Sequence, residues 1–356
     1  MIENTLRDIP ETVALATPAV VRTRPRPLCL LCDQPGKVLY CAVSDWLWGV
    51  DGQWNIRNCS GCDLGWLDPE PLDEDIFKLY SNYYTHGAPP ATRFDALRKE
   101  VLNRILPRLG YSRQPSAGML GRFLSHTRSW ARAAAMEVMD LPASMTGNLL
   151  DIGCGSGEFL LRMQSLGWKV AGVEPDRAAA KYAQSRGLEV VHGDISDVSQ
   201  DAAFDVITMN HVIEHVADPV ILLRQCAKRL RGPHSRLVIT TPNMRSLGHR
   251  WFRQYWRGLE VPRHLTLFSS KALGKCLEGA GLRVQSCRTE TRMARMIYNP
   301  STCAKAGQLQ VGTRTDFRSA TKTAAYCFQA VEDLWVHFDG DVGEEVYISA
   351  TRDGYL

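Results

Sequence analysis

A glycine-rich run and two acidic residues have the spacing of a site for a ligand that carries a nucleoside. The run Asp151-Ile-Gly-Cys-Gly-Ser-Gly157 joins a predicted strand to a predicted helix, and Glu174 ends the next predicted strand. Glycines allow a tight turn and let a ligand approach the backbone closely. A carboxylate placed like Glu174 can accept hydrogen bonds from both ribose hydroxyls. An ordinary glycine turn is the alternative interpretation.

The chemistry of this loop favours a cationic ligand over a pyrophosphate. Its spacing is G-x-G-x-G, whereas the dinucleotide fingerprint is G-x-G-x-x-G. Asp151 lies at the lip of the loop, where a pyrophosphate would need backbone N–H donors and no nearby carboxylate. S-Adenosylmethionine fits, because it carries a sulfonium and an ammonium and has no phosphate. The loop therefore predicts S-adenosylmethionine as the cofactor.

Four cysteines form two C-x₂-C pairs, Cys29 with Cys32 and Cys59 with Cys62. Four thiolates in this arrangement can close a tetrahedral zinc site of the zinc-ribbon type. Such a site has no open coordination position, so we expect a structural Zn²⁺ that stabilises the fold and takes no part in chemistry. An iron–sulfur cluster and a redox dithiol are the alternatives.

Three histidines follow the strands that are predicted to end beside the cofactor. His211 and His215 follow the predicted fourth strand, and His264 follows the fifth. Ligands lie at the carboxyl ends of strands in doubly wound sheets, and His is the side chain best suited to remove a proton near neutral pH. We expect His264 first, then His215 and His211, as the general base or an orienting group. A hydrogen-bonded packing role is the alternative for each.

Aromatic and basic residues near these histidines are candidates for contact with the acceptor. The candidates are Tyr83, Tyr84, Trp251, Trp256 and Arg263. Arg and aromatic side chains suit a ligand with a planar ring, a sugar or a phosphate. Tyr80 belongs to the same aromatic run as the two tyrosines, for which helix packing is the alternative. For residues 244–262 the alternative is an amphipathic cover helix with solvated arginines.

The elements that must position these residues are predicted from hydrophobic patterning. From residue 147 onward, short apolar runs alternate with helical patterns of about ten residues. This alternation predicts βαβ units and a mainly parallel, doubly wound sheet of the α/β class. Residues 27–68 predict short strands, and residues 72–145 predict helices.

Composition limits the class of protein. The chain has 356 residues, of which 45% are apolar and 22% charged, as in a soluble globular enzyme of about two domains. It lacks a run of ~20 apolar residues, which argues against a membrane span. The first ten residues lack the apolar core of a secretory signal, so we expect a cytoplasmic protein without a disulfide framework. A net charge of +4 gives little support for a nucleic-acid partner.

Four motifs together resemble those of the class I S-adenosylmethionine-dependent methyltransferases. They are residues 151–157, Val173-Glu-Pro-Asp176, Gly193-Asp-Ile195 and the run from His211 to Pro219. The resemblance implies a seven-stranded Rossmann-like sheet in which the last strand runs antiparallel. The cofactor-binding residues that it implies are Asp151, Gly153, Cys154, Gly155, Gly157, Glu174, Pro175, Asp194, Ile195, Asn210 and His211.

The paired cysteines followed by this domain resemble small-molecule methyltransferases with an N-terminal zinc-binding domain. This resemblance implies methyl transfer to a hydroxyl or an activated carbon of a sugar, sugar nucleotide or secondary metabolite. Pro262-Arg-His-Leu265 before a Phe-Ser pair is a recurring feature of that group near the substrate. Two alternatives stay open, a zinc-containing methyltransferase of ribosomal or transfer RNA bases and a non-catalytic scaffold that binds the cofactor or recruits a partner. The enzyme could also form a homodimer.

These patterns predict four regions. Residues 1–26 form a flexible tail, residues 27–70 a zinc-binding module and residues 71–146 a helical linker or substrate cover. Residues 147–356 form the methyltransferase domain, in which residues 291–340 are an insertion or lid before the last strand.

Overall fold

The computed structural model describes residues 20–80, 100–112, 123, 126–308 and 319–352. Short strands precede residue 72, and strands alternate with helices after residue 147. The strands are β1 (Thr23–Arg24), β2 (Lys37–Val43), β3 (Trp54–Asn58), β4 (Gly65–Asp68), β5 (Glu70–Pro71), β6 (Asn148–Ile152), β7 (Lys169–Glu174), β8 (Glu189–His192), β9 (Val206–Asn210), β10 (Arg236–Pro242), β11 (Thr266–Leu267), β12 (Leu282–Glu290) and β13 (Glu345–Arg352). The α-helices whose bounds fall within the described residues are α1 (Arg128–Met136), α2 (Glu158–Ser165), α3 (Arg177–Ser185), α4 (Pro219–Arg229), α5 (Leu247–Phe252), α6 (Ser270–Gly279), α7 (Ala294–Lys305) and α8 (Ser319–Trp335).

A seven-stranded sheet carries the predicted site. Its strand order is β12-β13-β10-β9-β6-β7-β8. The pairs among β6 to β10 are parallel, whereas β13 runs antiparallel to both β10 and β12. This confirms the predicted doubly wound α/β sheet with an antiparallel last strand. Among the described residues, no helix has the length and apolar character needed to cross a membrane.

Burial and capping explain why these residues form the sheet and its helices. Six consecutive residues of β10 after Arg236 are buried, as expected for a strand covered on both faces. Asp218 and Asp176 accept backbone N–H bonds at the first turns of α4 and α3, and Pro219 occupies the first position of α4. Helix α4 therefore begins with two features that favour a helix N-terminus.

A second, four-stranded sheet joins the N-terminal module to residues 147–352, the region that carries the seven-stranded sheet. Its order is β11-β4-β3-β2. In the outer pair, Gly65 faces Leu267 and Trp66 faces Thr266 in antiparallel register. Strand β11 comes from the segment directly after His264, so two regions that the sequence separates share one sheet.

Residues 20–26 depart from the predicted flexible tail. Strand β1 pairs with β5, and the Arg22 guanidinium makes two hydrogen bonds to Asp75 at 2.9 and 3.0 Å. Trp66 donates its indole N–H to the carbonyl of Arg26 at 2.7 Å. The alternating arginines of this segment meet acidic partners that lie about fifty residues further along the chain, and the prediction is wrong for these residues. Residues 1–19 lie outside the described part of the chain.

The structure of residues 71–146 differs in detail from the helices that the sequence predicts there. Residues 100–105 are helical, but Asp73–Tyr80 and Leu106–Leu109 are 3₁₀ helices.

Helices α7 and α8 lie within residues 291–340 and pack on each other and on α5. In this packing the rings of Phe252, Tyr298 and Phe328 lie within 5.9 Å of one another, centre to centre.

The glycine loop between β6 and α2 has a left-handed backbone. Gly155 and Gly157 have φ values of +54° and +81°. A Cβ atom at Gly157 would lie 2.3 Å from Leu188 Cδ1 and 3.2 Å from Ala183 Cβ, while one at Gly155 would meet no atom within 4 Å. Gly157 is therefore required for both conformation and space, and Gly155 for conformation alone.

We expect Gly157→Ala to destabilise the protein more than Gly155→Ala. Left-handed strain costs each variant ~1–2 kcal/mol, and overpacking adds ~1–3 kcal/mol at Gly157 only. Urea unfolding followed by circular dichroism measures both losses. Equal losses in the two variants would show that the close approach of α2 to α3 and Leu188 is unimportant.

Candidate active site

The predicted cofactor residues lie at the carboxyl edge of the parallel strands. Asp151 is near the end of β6, Glu174 ends β7 and Asn210 ends β9. These strands are neighbours in the order β9-β6-β7. Because they run parallel, the three side chains share one edge of the sheet, as the sequence predicts.

Glu174 is buried beneath the glycine loop. Its carboxylate accepts hydrogen bonds from the backbone N–H of Gly155 at 2.7 Å and of Asp176 at 2.8 Å. Burial raises the pKa of Glu174, and these two backbone donors oppose that rise. The loop is also bonded to β7 directly, since the N–H groups of Gly153 and Cys154 both donate to the Val173 carbonyl.

Asp151 is a buried carboxyl beside the same loop. It accepts a hydrogen bond of 2.7 Å from the Thr208 hydroxyl. Burial raises its pKa to about 7, and the charge of Glu174 adds to the rise. A cationic group close by would favour the ionised form of Asp151. The free space above Gly155 and these two buried acids fit the nucleoside and cationic parts of S-adenosylmethionine.

The other predicted cofactor residues differ in exposure. Ile195 and Cys154 are buried, at 2% and 7% exposure. Pro175 and Asp194 are exposed. Asp194 caps the 3₁₀ helix Ile195–Asp197 by accepting the Ser196 N–H.

His211 lies in a left-handed backbone conformation between two buried carboxylates. Its φ is +57°, and its ring nitrogens lie 3.2 Å from Glu214 Oε1 and 2.6 Å from Glu345 Oε1. Burial alone would lower the pKa of His211, but the bonds to Glu214 and Glu345 outweigh it and raise the pKa to about 10. An imidazolium has no free lone pair, so we expect His211 to be a poor general base near neutral pH while these two carboxylates hold it.

His215 is held by two contacts to one ring nitrogen. Nδ1 lies 3.1 Å from the carbonyl oxygen of Arg263 and 3.0 Å from the hydroxyl oxygen of Tyr80. A carbonyl can only accept, so a hydrogen bond to Arg263 requires the hydrogen on Nδ1, which in a neutral ring would leave the lone pair on Nε2. Within the described residues, Nε2 of His215 has no hydrogen-bond partner.

His264 packs against His215 but is far more buried. Its exposure is 4%, and the two imidazole centres are 4.7 Å apart in an edge-on arrangement. Nδ1 lies 2.8 Å from the Gly258 carbonyl oxygen, to which it donates. Burial and the neighbouring His215 lower the pKa of His264 to about 4, so its ring is neutral.

Charged residues that the sequence reasoning did not select complete the surroundings of these histidines. Glu214 is 1% exposed and accepts a hydrogen bond of 2.9 Å from Thr241. Burial opposes ionisation of Glu214, but its bond to His211 lowers the pKa to about 2. Arg292 binds Glu345 at 2.6 Å and Asn210 Oδ1 at 3.2 Å. The position of Glu214 between two histidines was the one sequence signal for this network.

The residues that the sequence predicts to contact the acceptor differ in exposure. Trp251 is 63% exposed on α5, whereas Trp256 is fully buried and donates its indole N–H to Glu344 at 2.8 Å. Arg263 is also fully buried, and its guanidinium is bonded to Asp45 and Glu260. Trp256 and Arg263 therefore bind other parts of the protein. Tyr83 and Tyr84 lie outside the described residues.

The four predicted metal ligands come together in the N-terminal module. Their sulfur atoms all lie within 4.8 Å of one another, and Cys32 Sγ is 3.5 Å from Cys59 Sγ. Each pair closes a turn in which the next residue, Asp33 or Asp63, is left-handed and donates its N–H to the first cysteine's carbonyl. Two matching turns that aim four sulfurs at one point form a donor set that fits a tetrahedral metal ion.

Comparison with known proteins identifies the family. A family model described as "Methyltransferase domain" matches residues 94–286, more than half of the chain. The ubiquinone biosynthesis O-methyltransferase of Caulobacter sp. (strain K31) is 38% identical over 103 residues, which cover 27% of this chain and 40% of that protein. The enzyme of the same name from Bradyrhizobium diazoefficiens is 32% identical over 149 residues, which cover 40% of this chain and 53% of that protein. The chain thus spans about half, or less, of the length of these relatives.

A solved structure gives a fainter likeness over a longer stretch. It is a SAM-dependent methyltransferase from Archaeoglobus fulgidus, with 20% identity, a TM-score of 0.42, and coverage of 65% of this chain and 97% of that one. The sequence match of the family model covers the loop, Glu174 and the three histidines described above. The chain therefore belongs to the methyltransferase-domain family, as its motifs predict.

Proposed function

We propose that the chain transfers a methyl group from S-adenosylmethionine to a small-molecule acceptor, with a hydroxyl oxygen as the first expected acceptor atom and an activated carbon as the second. The observation that carries this proposal is the imidazole of His215, whose Nε2 has no hydrogen-bond partner among the described residues, at the sheet edge that also holds Asp151 and Glu174. The relatives from Caulobacter and Bradyrhizobium are named O-methyltransferases, which supports oxygen as the acceptor atom. A sugar, sugar nucleotide or secondary metabolite is the proposed acceptor class.

The residues at the glycine loop would hold the cofactor. Glu174 would accept hydrogen bonds from the ribose, and Asp151 would face the amino group of the methionine part. Asp194 and Ile195 would contact the adenine, and the Gly153 to Gly157 backbone would surround the methionine part. When bound, S-adenosylmethionine supplies an electrophilic methyl group on a sulfonium.

We expect Glu174→Gln to lower the affinity for S-adenosylmethionine at least about 100-fold, or ~2.7 kcal/mol. The reason is that a neutral amide cannot replace a carboxylate that accepts hydrogen bonds from both ribose hydroxyls. Isothermal titration calorimetry measures the change. Glu189→Gln is the matched control, since Glu189 is an exposed glutamate on the neighbouring strand β8. Unchanged affinity in Glu174→Gln would refute the ribose assignment.

His215 is the residue we propose as general base. The Arg263 carbonyl fixes its tautomer, which leaves Nε2 able to accept the proton of an acceptor hydroxyl as that oxygen attacks the methyl group. His264 would pack against the His215 ring and hold that ring in its orientation, because Nδ1 of His264 is itself bonded to the Gly258 carbonyl. This reverses the order of His264 and His215 that the sequence predicts, because His264 is more deeply buried.

We expect His215→Asn to keep the cofactor affinity and to slow turnover by ~10²–10⁴-fold, the usual contribution of a positioned base. Formation of S-adenosylhomocysteine with a panel of catechols, sugar nucleotides and phenolic metabolites measures turnover. His234→Asn is the control, since His234 is exposed and outside the site. Full turnover in His215→Asn would remove it from the reaction, and cofactor binding without methylation of any acceptor would favour a scaffold.

A structural Zn²⁺ is the metal that we propose for the four cysteines. Thiolate sulfur is the ligand set of closed zinc sites, and a closed tetrahedron leaves no position for substrate. Cys29, Cys59 and Cys62 also belong to the same buried apolar cluster as Phe268 and Leu273 of the catalytic region. The metal would thus stabilise the junction between the module and the large sheet.

We expect one zinc per chain, and Cys59→Ser should lose it and lower the unfolding temperature, because metal binding and folding of such sites are coupled. Metal analysis by mass spectrometry and thermal unfolding measure the two effects. Cys41→Ser is the matched control, because Cys41 is an exposed cysteine of the same module. Full zinc content in Cys59→Ser would contradict the assignment.

A further inference from the structure

We propose that Asp45 of the N-terminal module is a positioning residue for His215 and acts through Arg263. This inference rests on the proposed role of His215 as general base. It gives Arg263 an internal role in place of the predicted contact with the acceptor. It also gives the N-terminal module a part in the reaction beyond stability.

The first contact in this series of interactions is a buried ion pair that joins the N-terminal module to the segment before β11. The guanidinium of Arg263 binds both carboxylate oxygens of Asp45, at 2.9 and 3.0 Å. The side chains are 0% and 1% exposed. The two residues are 218 positions apart in the chain. Such a two-pronged pair fixes direction as well as distance, because the planar guanidinium matches the carboxylate.

Asp45 is itself held in place by its own loop. Its carboxylate accepts the backbone N–H groups of Leu47, Trp48 and Val50 at 3.0 to 3.1 Å. A carboxylate with these three donors cannot follow Arg263 if the arginine moves. Asp45 therefore acts as a fixed point for the guanidinium.

The backbone around Arg263 is held on both sides. Its N–H donates to the Glu260 carbonyl at 2.8 Å, and the next residues lead into β11, which pairs with β4 of the module. The N–H of Leu265 donates to the Glu214 carbonyl at 2.8 Å. The Arg263 carbonyl is thus placed by the module on one side and by the turn after β9 on the other.

That carbonyl decides the chemistry of His215. It lies 3.1 Å from Nδ1 and can only accept, so its hydrogen bond favours the hydrogen on Nδ1 and the lone pair on Nε2, with the Tyr80 hydroxyl 3.0 Å away as a second acceptor for Nδ1–H. Removal of the charge from Asp45 would leave Glu260 as the one remaining carboxylate bonded to the Arg263 side chain among the described residues. The guanidinium would then turn toward Glu260, the carbonyl would shift, and both tautomers of His215 would form.

The test reads the tautomer of His215 directly. Protein labelled with ¹⁵N-histidine gives two-bond ¹H–¹⁵N spectra that separate a protonated ring nitrogen from one with a lone pair. The signals of His215 are assigned by their loss in His215→Gln, at a pH where the ring is neutral. Spectra are compared for the wild type, Asp45→Asn, Arg263→Lys and Asp68→Asn. Asp68 is the matched control, because it is a buried aspartate of the same module that pairs with Arg57.

We expect a single Nδ1–H tautomer in the wild type and in Asp68→Asn, and a several-fold larger share of Nε2–H in Asp45→Asn. Arg263→Lys should fall between them, because lysine keeps the charge and loses the two-pronged bond. A wild type with the Nε2–H tautomer, or an unchanged tautomer in Asp45→Asn, would overturn the inference. Loss of the folded state in both Asp45→Asn and Arg263→Lys, with Asp68→Asn folded, would overturn it as well, because the pair would then serve stability alone.

The same spectra keep this inference separate from the proposed function. If Asp45→Asn changes the tautomer but His215→Asn retains turnover, the positioning is real and the base is elsewhere. If the tautomer does not respond while His215→Asn is inactive, the base stands and Asp45 does not position it.

Discussion

Charge compensation among buried groups is the constraint on which the proposed site depends. Burying an ionised carboxylate without a partner costs several kcal/mol, so acids at the edge of the sheet must be buried together with cations. The pairs are His211 with Glu214 and Glu345, Arg292 with Glu345, and Arg263 with Asp45 and Glu260. Both His211 and Arg263 are therefore bound to buried carboxylates of the protein itself. What they leave is the imidazole of His215, beside the strands that carry Asp151 and Glu174.

The same constraint explains why the N-terminal module is inseparable from the large sheet. Asp45 comes from the module and compensates an arginine of the catalytic region, while β4 pairs with β11 directly after His264. The cysteine turns pack into the apolar core of the catalytic region. Strand pairing and ion pairing therefore both act on the segment of residues 263–267, which lies next to His215. The N-terminal module thus contributes contacts to the surroundings of the proposed site.

The sequence predicts the parts of the fold that depend on local pattern. The alternation of apolar runs places β6 to β10 to within a few residues, and the loop and Glu174 follow from spacing alone. Pairings between distant residues could not be predicted, because a single sequence does not say which acid meets which base. The Asp45–Arg263 pair spans 218 residues and the His211–Glu345 pair spans 134. For that reason the sequence alone predicts a base at His211, an acceptor contact at Arg263 and a tail at residues 20–26, whereas the structure pairs each of them with a distant partner.

The charge of His211 is the most direct test of this account. The ¹⁵N spectra of histidine-labelled protein, recorded as a function of pH, report the protonation of each ring. The network predicts that His211 stays doubly protonated well above neutral pH, because Glu214 and Glu345 raise its pKa to about 10. Titration of His211 near pH ~6.5, the value of an unperturbed histidine, would show that the carboxylates do not hold it as a cation and would contradict the account.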